Sequence, residues 1–203
     1  NPRLRLAIEK AKEANMPNDN IDRAIAKATG GGDGVSLEEI TYEGFGPGGV
    51  AVLVETMTDN KQRTVAEIRN IFTKGGGNLG AAGSVSWMFK QKGILTFEKE
   101  KIDVDKLGMD AIEAGAEDLK IEESVLEVLT KPEDFEKVRD ALKQKKYSPD
   151  SAEISMCPQS TVKLTGANAQ KIVDLVKALE DLDDVQNVHA NFDVPDEIME
   201  QAS

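Results

Sequence analysis

The segment ITYEGFGPGGVAVLVETM, residues 40–57, carries the clearest fold signal in the chain. Its centre, GFGPGG at 44–49, fits the GxGxxG pattern of dinucleotide-binding loops, in which a helix follows the glycines and receives the pyrophosphate. Here the residues after the glycines are β-branched and apolar, which is typical of a buried strand. We therefore predict a β-hairpin with strands at 40–43 and 50–57. The unusual backbone angles of its loop would come from Gly44, Gly46, Gly48 and Gly49.

Amphipathic patterns on both sides of this hairpin predict a mixed α+β protein with several domains. Upstream, two short helices are expected at 4–16 and from about 18 to the glycine run at 30–32. Downstream, a helix capped by Asp59 or Asn60 is expected to continue to Lys74. A second glycine loop, Gly75, Gly76 and Gly77, should follow, and then a strand that includes Val85, Trp87 and Phe89.

The pattern changes at residue 93, where strands and helices follow one another in the order βαββαβ. That order is typical of a ferredoxin-like unit. The predicted elements are strands at 94–97, 119–122, 125–130 and 152–156, and helices at 104–114 and after Pro132. A strand at 162–164, a helix at 167–182 and a strand at 185–192 come next, and three elements do not form a stable domain alone.

These patterns predict that one domain is inserted into another. The last three elements would complete the α+β domain that the hairpin opens, so this domain would consist of 39–92 and 158–195. The ferredoxin-like unit at 93–157 would be the insertion. Residues 1–32 would be the remainder of an N-terminal helical domain, and 196–203 would be a tail. Because the chain starts at Asn1, close to a helical pattern, we expect a further segment to precede it.

Composition narrows the class of protein. Hydrophobic residues make up 39% of the chain and aromatic residues 4%, which is enough for aliphatic cores of modest size. The single cysteine excludes an internal disulfide framework, and no membrane-length apolar stretch or signal-peptide pattern is evident. We therefore expect a cytoplasmic protein with no membrane partner.

No set of residues in the sequence predicts catalysis. The only histidine, His189, falls in a predicted strand, where an edge or surface role is more common than that of a base. Cys157 precedes a proline at a predicted domain junction and has no second histidine to activate it. Glu38, Glu39 and Glu43 could hold a hydrated cation, but a solvated strand edge is the simpler interpretation. We predict no enzyme, no metal site and no cofactor.

The charge distribution points to one candidate binding surface. The net charge is −12, yet residues 60–92 carry six basic residues and one acidic residue. Such an island can face the phosphates of a nucleic acid or a ribosome, or it can simply keep the surface soluble. We predict the first role for its basic residues, which are Lys61, Arg63, Arg69, Lys74, Lys90 and Lys92.

The predicted ferredoxin-like unit has a different character. RNA-recognition domains share its strand order and stack bases on paired aromatic residues. Here the corresponding strands offer only Phe97, and the unit is rich in acidic residues. We therefore expect it to face protein or to act as a spacer.

Several long phrases resemble one family. They are NPRLRLAIEKAKEANMP (1–17), NIDRAI (20–25), YEGFGPGG (42–49), DNKQRTVAEIR (59–69), GGNLG (76–80), GSVSWMF (83–89) and DSAEISM (150–156). Together they resemble the YebC family, whose eukaryotic relatives include the mitochondrial translational activator of cytochrome c oxidase. The resemblance implies three domains, with a helical bundle first and a ferredoxin-like domain inserted in the second. It also implies a strongly basic N-terminal segment that this sequence lacks.

The resemblance implies two alternative functions. Members of the family are described as DNA-binding transcriptional regulators and as ribosome-associated factors that assist translation, notably of proline-rich stretches. Both would contact a phosphate backbone, so the partners would be DNA or the ribosome with its rRNA. RNA polymerase or ribosomal proteins could meet the acidic surfaces. No helix-turn-helix with base-reading side chains is evident, which weakens the sequence-specific DNA interpretation. We predict a non-enzymatic regulator of gene expression, with DNA binding as the first interpretation and translation as the alternative.

Overall fold

The computed structural model describes residues 2–28, 37–195 and 197–198. They form two compact units. The middle unit comprises Lys90–Cys157 together with the helix that ends at Glu13, and the outer unit comprises Ala14–Phe89 together with the residues from Pro158 onward. The glycine run at 30–32 lies outside the described residues, as does most of the predicted tail at 196–203.

The helices and strands alternate along most of the chain. The helices are α1 (Pro2–Glu13), α2 (Asn18–Ala28), α3 (Lys61–Lys74), α4 (Val104–Ala114), α5 (Phe135–Gln144) and α6 (Gly166–Glu180). The strands are β1 (Glu38–Phe45), β2 (Ala51–Thr58), β3 (Asn78–Leu79), β4 (Phe89–Glu98), β5 (Asp118–Ile121), β6 (Val125–Thr130), β7 (Ser151–Pro158), β8 (Val162–Lys163), β9 (Val185–Ala190) and β10 (Phe192–Asp193). The protein is therefore of the α+β class.

The predicted hairpin is confirmed. β1 and β2 pair antiparallel from Glu38 opposite Thr58 to Phe45 opposite Ala51. β1 is two residues longer at each end than predicted, and β2 is shifted by one residue from its predicted position. Gly48 and Gly49 in its loop have φ angles of 73° and 79°, in the left-handed region that favours glycine. The glycines connect two antiparallel strands, so no helix N-terminus follows them.

The outer unit is built from both sides of the middle segment. Its four-stranded sheet has the order β3-β1-β2-β9, and a parallel pair, β8 and β10, lies apart from it. α3 and α6 contribute apolar side chains to one core with the hairpin, among them Ile68 and Phe72 from α3 and Ile172 and Leu179 from α6. All four of these side chains are buried. Burial of this face leaves the remaining sides of α3 exposed to solvent.

The middle unit has its own sheet and core. The sheet order is β5-β6-β4-β7, and β4 pairs antiparallel with β6. Phe97, Leu126 and Phe135 are among the fully buried side chains, and α4 and α5 contact each other. The helix predicted at 104–114 is confirmed at those bounds, whereas the helix expected after Pro132 begins only at Phe135.

α1 and α2 belong to different units. α1 groups with the middle unit and α2 with the outer unit, and a common N-terminal domain at 1–32 stays a prediction. Within the middle unit, Arg5 of α1 pairs with Glu136, and Glu9 pairs with Arg139 on α5. The Arg5–Glu136 pair is largely exposed and the Glu9–Arg139 pair is partly exposed, so both stabilise the contact weakly.

The strand predicted through Val85, Trp87 and Phe89 is wrong. Ser86–Met88 form a single 3-10 turn, and the strand begins at Phe89, where it continues to Glu98 as β4. The third strand of the outer sheet is the two-residue β3, which pairs with β1. The alternation of apolar residues at 85, 87 and 89 resembles a strand, but the backbone N–H groups of Val85 and Ser86 donate hydrogen bonds to the side chain of Glu43 on β1. Among the described residues, no helix is both long and apolar enough to span a membrane.

Candidate nucleic-acid interface

α3 is the element that presents the predicted basic residues of the outer unit. Asn60 caps it, and its side-chain oxygen accepts a hydrogen bond from the backbone N–H of Arg63 at 3.1 Å. Thr64, Ile68 and Phe72 make its buried face. The helix therefore has a fixed start and a fixed rotation on the sheet, which determines the sides that meet solvent.

Three of the four predicted cations on α3 are free. Lys61, Arg69 and Lys74 are exposed, and none of these side chains pairs with an acidic group among the described residues. Lys74 lies in the last turn, where a cation also interacts favourably with the helix dipole. These three side chains remain available to a phosphate ligand.

Arg63 differs from these three residues because it forms ion pairs within the fold. Its guanidinium donates to Asp184 at 2.8 Å and to Asp59 at 3.0 Å. Asp184 also accepts hydrogen bonds from the hydroxyl groups of Thr64 and Thr58, at 2.7 and 3.0 Å. Burial alone would raise the pKa of Asp184, but the hydrogen bonds from Arg63 and the two threonines hold that pKa below its usual range. The carboxylate therefore stays charged and keeps Arg63 beside it.

The other two predicted contacts lie on β4, in the middle unit. Lys90 is exposed, while Lys92 is partly buried and pairs with Glu117. The hydrogen bond from Lys92 lowers the pKa of Glu117. Of the six predicted contacts, α3 carries four, and two of the six, Arg63 and Lys92, are engaged in ion pairs.

The second glycine loop joins α3 to β3 by close backbone packing. The N–H of Gly75 donates to Ile71 O and that of Gly77 to Phe72 O, which closes the end of the helix. A Cβ atom on Gly77 would collide with the carbonyl oxygen of Phe45. The absence of a side chain at this position is therefore required for the loop to reach β1.

A buried carboxylate organises the segment after β3. Glu43 of β1 is only 6% exposed, and its two oxygens accept hydrogen bonds from the backbone N–H groups of Gly83, Val85 and Ser86, each at 2.7 Å. Burial would raise the pKa of Glu43, but these N–H groups outweigh it and lower the pKa. Because the lone pairs face donors, Glu43 is a loop anchor and not the cation ligand considered from the sequence.

Trp87 stands exposed on this anchored loop. Its side chain is 68% exposed, and the indole N–H donates to the carbonyl oxygen of Ser84 at 3.1 Å. The side chain of Gln159 donates to the backbone carbonyl of Trp87 at 2.8 Å. The predicted strand through Trp87 gave no sign of this exposed position, because it treated the residue as part of a buried sheet.

The remaining candidates show no catalytic arrangement among the described residues. The Nε2 atom of His189 lies 3.5 Å from a carboxylate oxygen of Glu55 on the neighbouring strand β2. Burial raises the pKa of Cys157, which keeps the thiol protonated. No group of three or more histidine, cysteine or acidic residues in the described ranges is arranged to hold a metal ion.

The middle unit carries an apolar groove of about 520 Å³ between α4 and β5. Met109, Ile112 and Ile121 line it and are exposed, and its charged lining residues are Asp105 and Glu113. β5 is the edge strand of its sheet. The groove is therefore lined mainly by apolar residues, and the charged residues of its lining are acidic.

Comparison with known proteins identifies the family. A family model described as the TACO1/YebC second and third domain matches residues 37–192, and one described as the TACO1/YebC N-terminal domain matches residues 1–31. The chain belongs to the TACO1/YebC family. The predicted resemblance to the YebC family is thus confirmed.

Members of the TACO1/YebC family resemble the chain over nearly its full length. A protein of Dictyoglomus turgidum is 56% identical and one of Syntrophus aciditrophicus is 59% identical, each covering 100% of this chain and 82% of the relative. Both are named "Probable transcriptional regulatory protein". A crystal structure of a conserved hypothetical protein from Aquifex aeolicus has a TM-score of 0.86 and 48% identity, covering 96% of this chain and 81% of that one.

Proposed function

We propose that this protein is a non-enzymatic, cytoplasmic regulator of gene expression that contacts the phosphate backbone of DNA through α3. The observation that carries the proposal is a set of three exposed cations, Lys61, Arg69 and Lys74, on a helix whose opposite face is buried. No acidic residue in the described part of the chain pairs with them. Contacts of this kind fix a protein on a nucleic acid without reading its sequence. The names of the relatives support a role in transcription.

A ribosome-associated translation factor, including one that assists synthesis of proline-rich stretches, is the second candidate. Lysine and arginine contacts with phosphates serve rRNA as well as DNA. The exposed indole of Trp87 favours this candidate, because unpaired RNA bases are commonly recognised by stacking on aromatic side chains. The experiment must therefore include both nucleic acids.

We propose that the domains follow the division inferred from the sequence. The middle segment would be a ferredoxin-like domain inserted at 93–157 into an α+β domain made of 39–92 and 158–195, with 1–32 belonging to an N-terminal helical domain. Support comes from the sheet order β5-β6-β4-β7, in which the first and third strands of the βαββαβ series are central. Limited proteolysis that releases a stable middle fragment would test the insertion.

The acidic groove of the middle unit is proposed to meet a basic protein partner, such as a ribosomal protein or RNA polymerase. Support comes from Met109 and Ile112 as apolar contacts and from Asp105 and Glu113 as charges opposite to a basic segment. Met109→Glu should then reduce recovery of that partner in crosslinking experiments. Unchanged crosslinks would contradict this assignment.

A charge-reversal pair tests the proposed function. Arg69→Glu with Lys74→Glu removes two free cations of α3, while Lys171→Glu with Lys177→Glu makes the same change in net charge on exposed positions of α6. We expect only the α3 variant to lose binding, with affinity reduced on the order of tenfold or more and a weaker dependence on salt. Equal loss in both variants would show that net charge alone governs binding.

The assay distinguishes the two candidates. Salt-titrated binding is measured on promoter DNA and random duplex DNA, beside co-sedimentation with ribosomes. Binding to DNA that the α3 variant abolishes supports the transcriptional proposal. Ribosome binding at physiological salt, with weak DNA binding, supports translation instead. Unchanged binding of the α3 variant to every target would overturn α3 as the interface.

A further inference from the structure

Trp87 differs from the other aromatic residues of the chain in its exposure to solvent. The sequence contains six phenylalanines, two tyrosines and one tryptophan. All the phenylalanines and tyrosines are buried or partly buried, whereas Trp87 is 68% exposed. Tryptophan has one of the largest apolar surfaces of any side chain, so a ligand that covers this ring gains favourable burial.

The backbone beneath Trp87 is held at several points. Glu43 gathers the N–H groups of Gly83, Val85 and Ser86, and the N–H of Gly80 donates to the carbonyl oxygen of Glu43 at 2.7 Å. These bonds tie the loop to β1 on both sides of the turn. A loop with this many internal bonds to a buried carboxylate keeps its shape without a ligand.

The indole itself is also positioned. Its only polar atom, the ring N–H, is used in the hydrogen bond to Ser84 O at 3.1 Å. Gln159 fixes the backbone on the other side, with its N–H to Met88 O at 2.9 Å and its side-chain amide to Trp87 O at 2.8 Å. What remains for a partner is the apolar surface of the ring, and little conformational entropy is left to lose on binding.

We propose that Trp87 is a stacking platform for an unpaired nucleobase of a single-stranded nucleic acid. This inference rests on the proposed nucleic-acid function and adds to it a second type of contact. Stacking of a base on an aromatic ring is tolerant of sequence because every base has a π face, and it combines with cations that follow the backbone. The free cations of α3, in the same unit, supply the second component.

The experiment uses the fluorescence of the chain itself. Because Trp87 is the only tryptophan, emission excited at wavelengths beyond the absorption of the two tyrosines reports on this ring alone. The probe is oligo(dT) or oligo(U) of about 12 nucleotides, a length within the range that single-strand binders cover. An abasic oligonucleotide with the same number of phosphates and a duplex are the matched ligands. We expect saturable quenching by the single strands, and little by the abasic strand or the duplex.

Variants separate this inference from the proposed function. With a labelled single strand, we expect Trp87→Ala to weaken binding about tenfold, equivalent to about 1.4 kcal/mol, and Trp87→Phe to retain most of the affinity. Duplex binding should change only in the α3 charge-reversal variant. Loss of binding in the α3 variant together with full affinity in Trp87→Ala would overturn the stacking inference and leave the proposed function intact.

Two other outcomes would overturn the inference. Equal quenching by the abasic strand would mean that the ring senses phosphates or a conformational change and not a base. Quenching by an unstructured aromatic peptide, with none by oligonucleotides, would assign Trp87 to a protein contact. Thermal melts of Trp87→Ala accompany the binding assays, and unchanged melting is expected because the ring is exposed.

Discussion

One guanidinium nitrogen of Arg63 donates to both carboxylate oxygens of Asp184, at 2.9 and 2.8 Å, across 121 residues of chain. The bond connects the first turn of α3 to the segment that leads into β9. Arg63, which the sequence groups with the predicted phosphate contacts, therefore stabilises the fold. This difference between Arg63 and its neighbours on α3 can be measured.

Arg63→Gln and Arg69→Gln are expected to have different effects. Arg63→Gln should lower the free energy of unfolding only slightly, because the ion pair is partly solvent-exposed, and should leave nucleic-acid affinity nearly unchanged. Arg69→Gln should leave stability unchanged and reduce the slope of log affinity against log salt by about one. Urea melts and salt-titrated anisotropy measure both quantities. An equal fall in affinity for the two variants would place Arg63 among the phosphate contacts.

Glu43→Gln is expected to destabilise the outer unit. The amide keeps one acceptor oxygen but turns an NH₂ group towards backbone N–H groups, so at least one of the three hydrogen bonds is lost. Hydrogen bonds to charged groups contribute about 1.5–3 kcal/mol each, and we expect a loss of about 2 kcal/mol. Glu39→Gln, at an exposed position of β1, is the matched control and should cost little. Equal stability of both variants would contradict the anchoring role.

The same carboxylate predicts a dependence on pH. The folded-state pKa of Glu43 lies below that of an unfolded glutamate, about 4.3. Its stabilising contribution is therefore complete above about pH 4.3 and is lost as the pH falls through the lower folded-state value. Asp184, whose pKa is also lowered, acts in the same direction. We expect Glu43→Gln to flatten the acid limb of the stability profile, and a profile parallel to that of the unsubstituted chain would argue against it.

Substitution by alanine should lower the free energy of unfolding less at Gly76 than at Gly77. Gly76 has a φ of 79° and open space around a built Cβ, so Gly76→Ala costs only the left-handed backbone strain of about 1 kcal/mol. Gly77→Ala would place its methyl group against the Phe45 carbonyl, where backbone has to move, and we expect about 3 kcal/mol. Denaturant melts of the two variants decide the order. A smaller cost at Gly77 would show that the loop can withdraw from β1.

The thiol of Cys157 should react slowly with disulfide reagents in the folded protein. Burial is the main cause of its raised pKa, so little thiolate is present at neutral pH. Reaction with a chromogenic disulfide reagent at pH 7 should be slower than that of free cysteine, and should become fast when the protein is unfolded in urea. As the chain has one cysteine, the signal is unambiguous. A reaction as fast as that of free cysteine in the folded state would show that the thiol is open to solvent.

Local patterns predicted most of the secondary structure correctly. The hairpin at 40–57 and the helix at 104–114 were recoverable because turn residues, apolar periodicity and caps act within a few residues of one another. Trp87 was misplaced because the bonds that turn its segment away from a strand come from Glu43, more than forty residues earlier. A period of two in the apolar residues cannot reveal that anchor.

Prediction of the site was limited in the same way. The concentration of basic residues in 60–92 was visible in the sequence, and α3 does present Lys61, Arg69 and Lys74 to solvent. The sequence could not show which of the six cations were already paired. The partner of Arg63 lies in a different part of the chain, and the partner of Lys92 lies 25 residues away across the middle unit.

The core of the outer unit comes from two separate parts of the chain, so it can be completed only after the middle segment has been synthesised. β2 takes its second neighbour, β9, from residues made only after the whole middle segment. Until then the core cluster that contains Val52 and Val54 lacks Ile172 and Leu179, while all the strands of the middle sheet are complete by Pro158. While the middle segment is being made, the sheet of the outer unit therefore lacks one strand and has an open edge at β2. Exposed strand edges favour aggregation, so the nascent chain is most in need of protection during this interval.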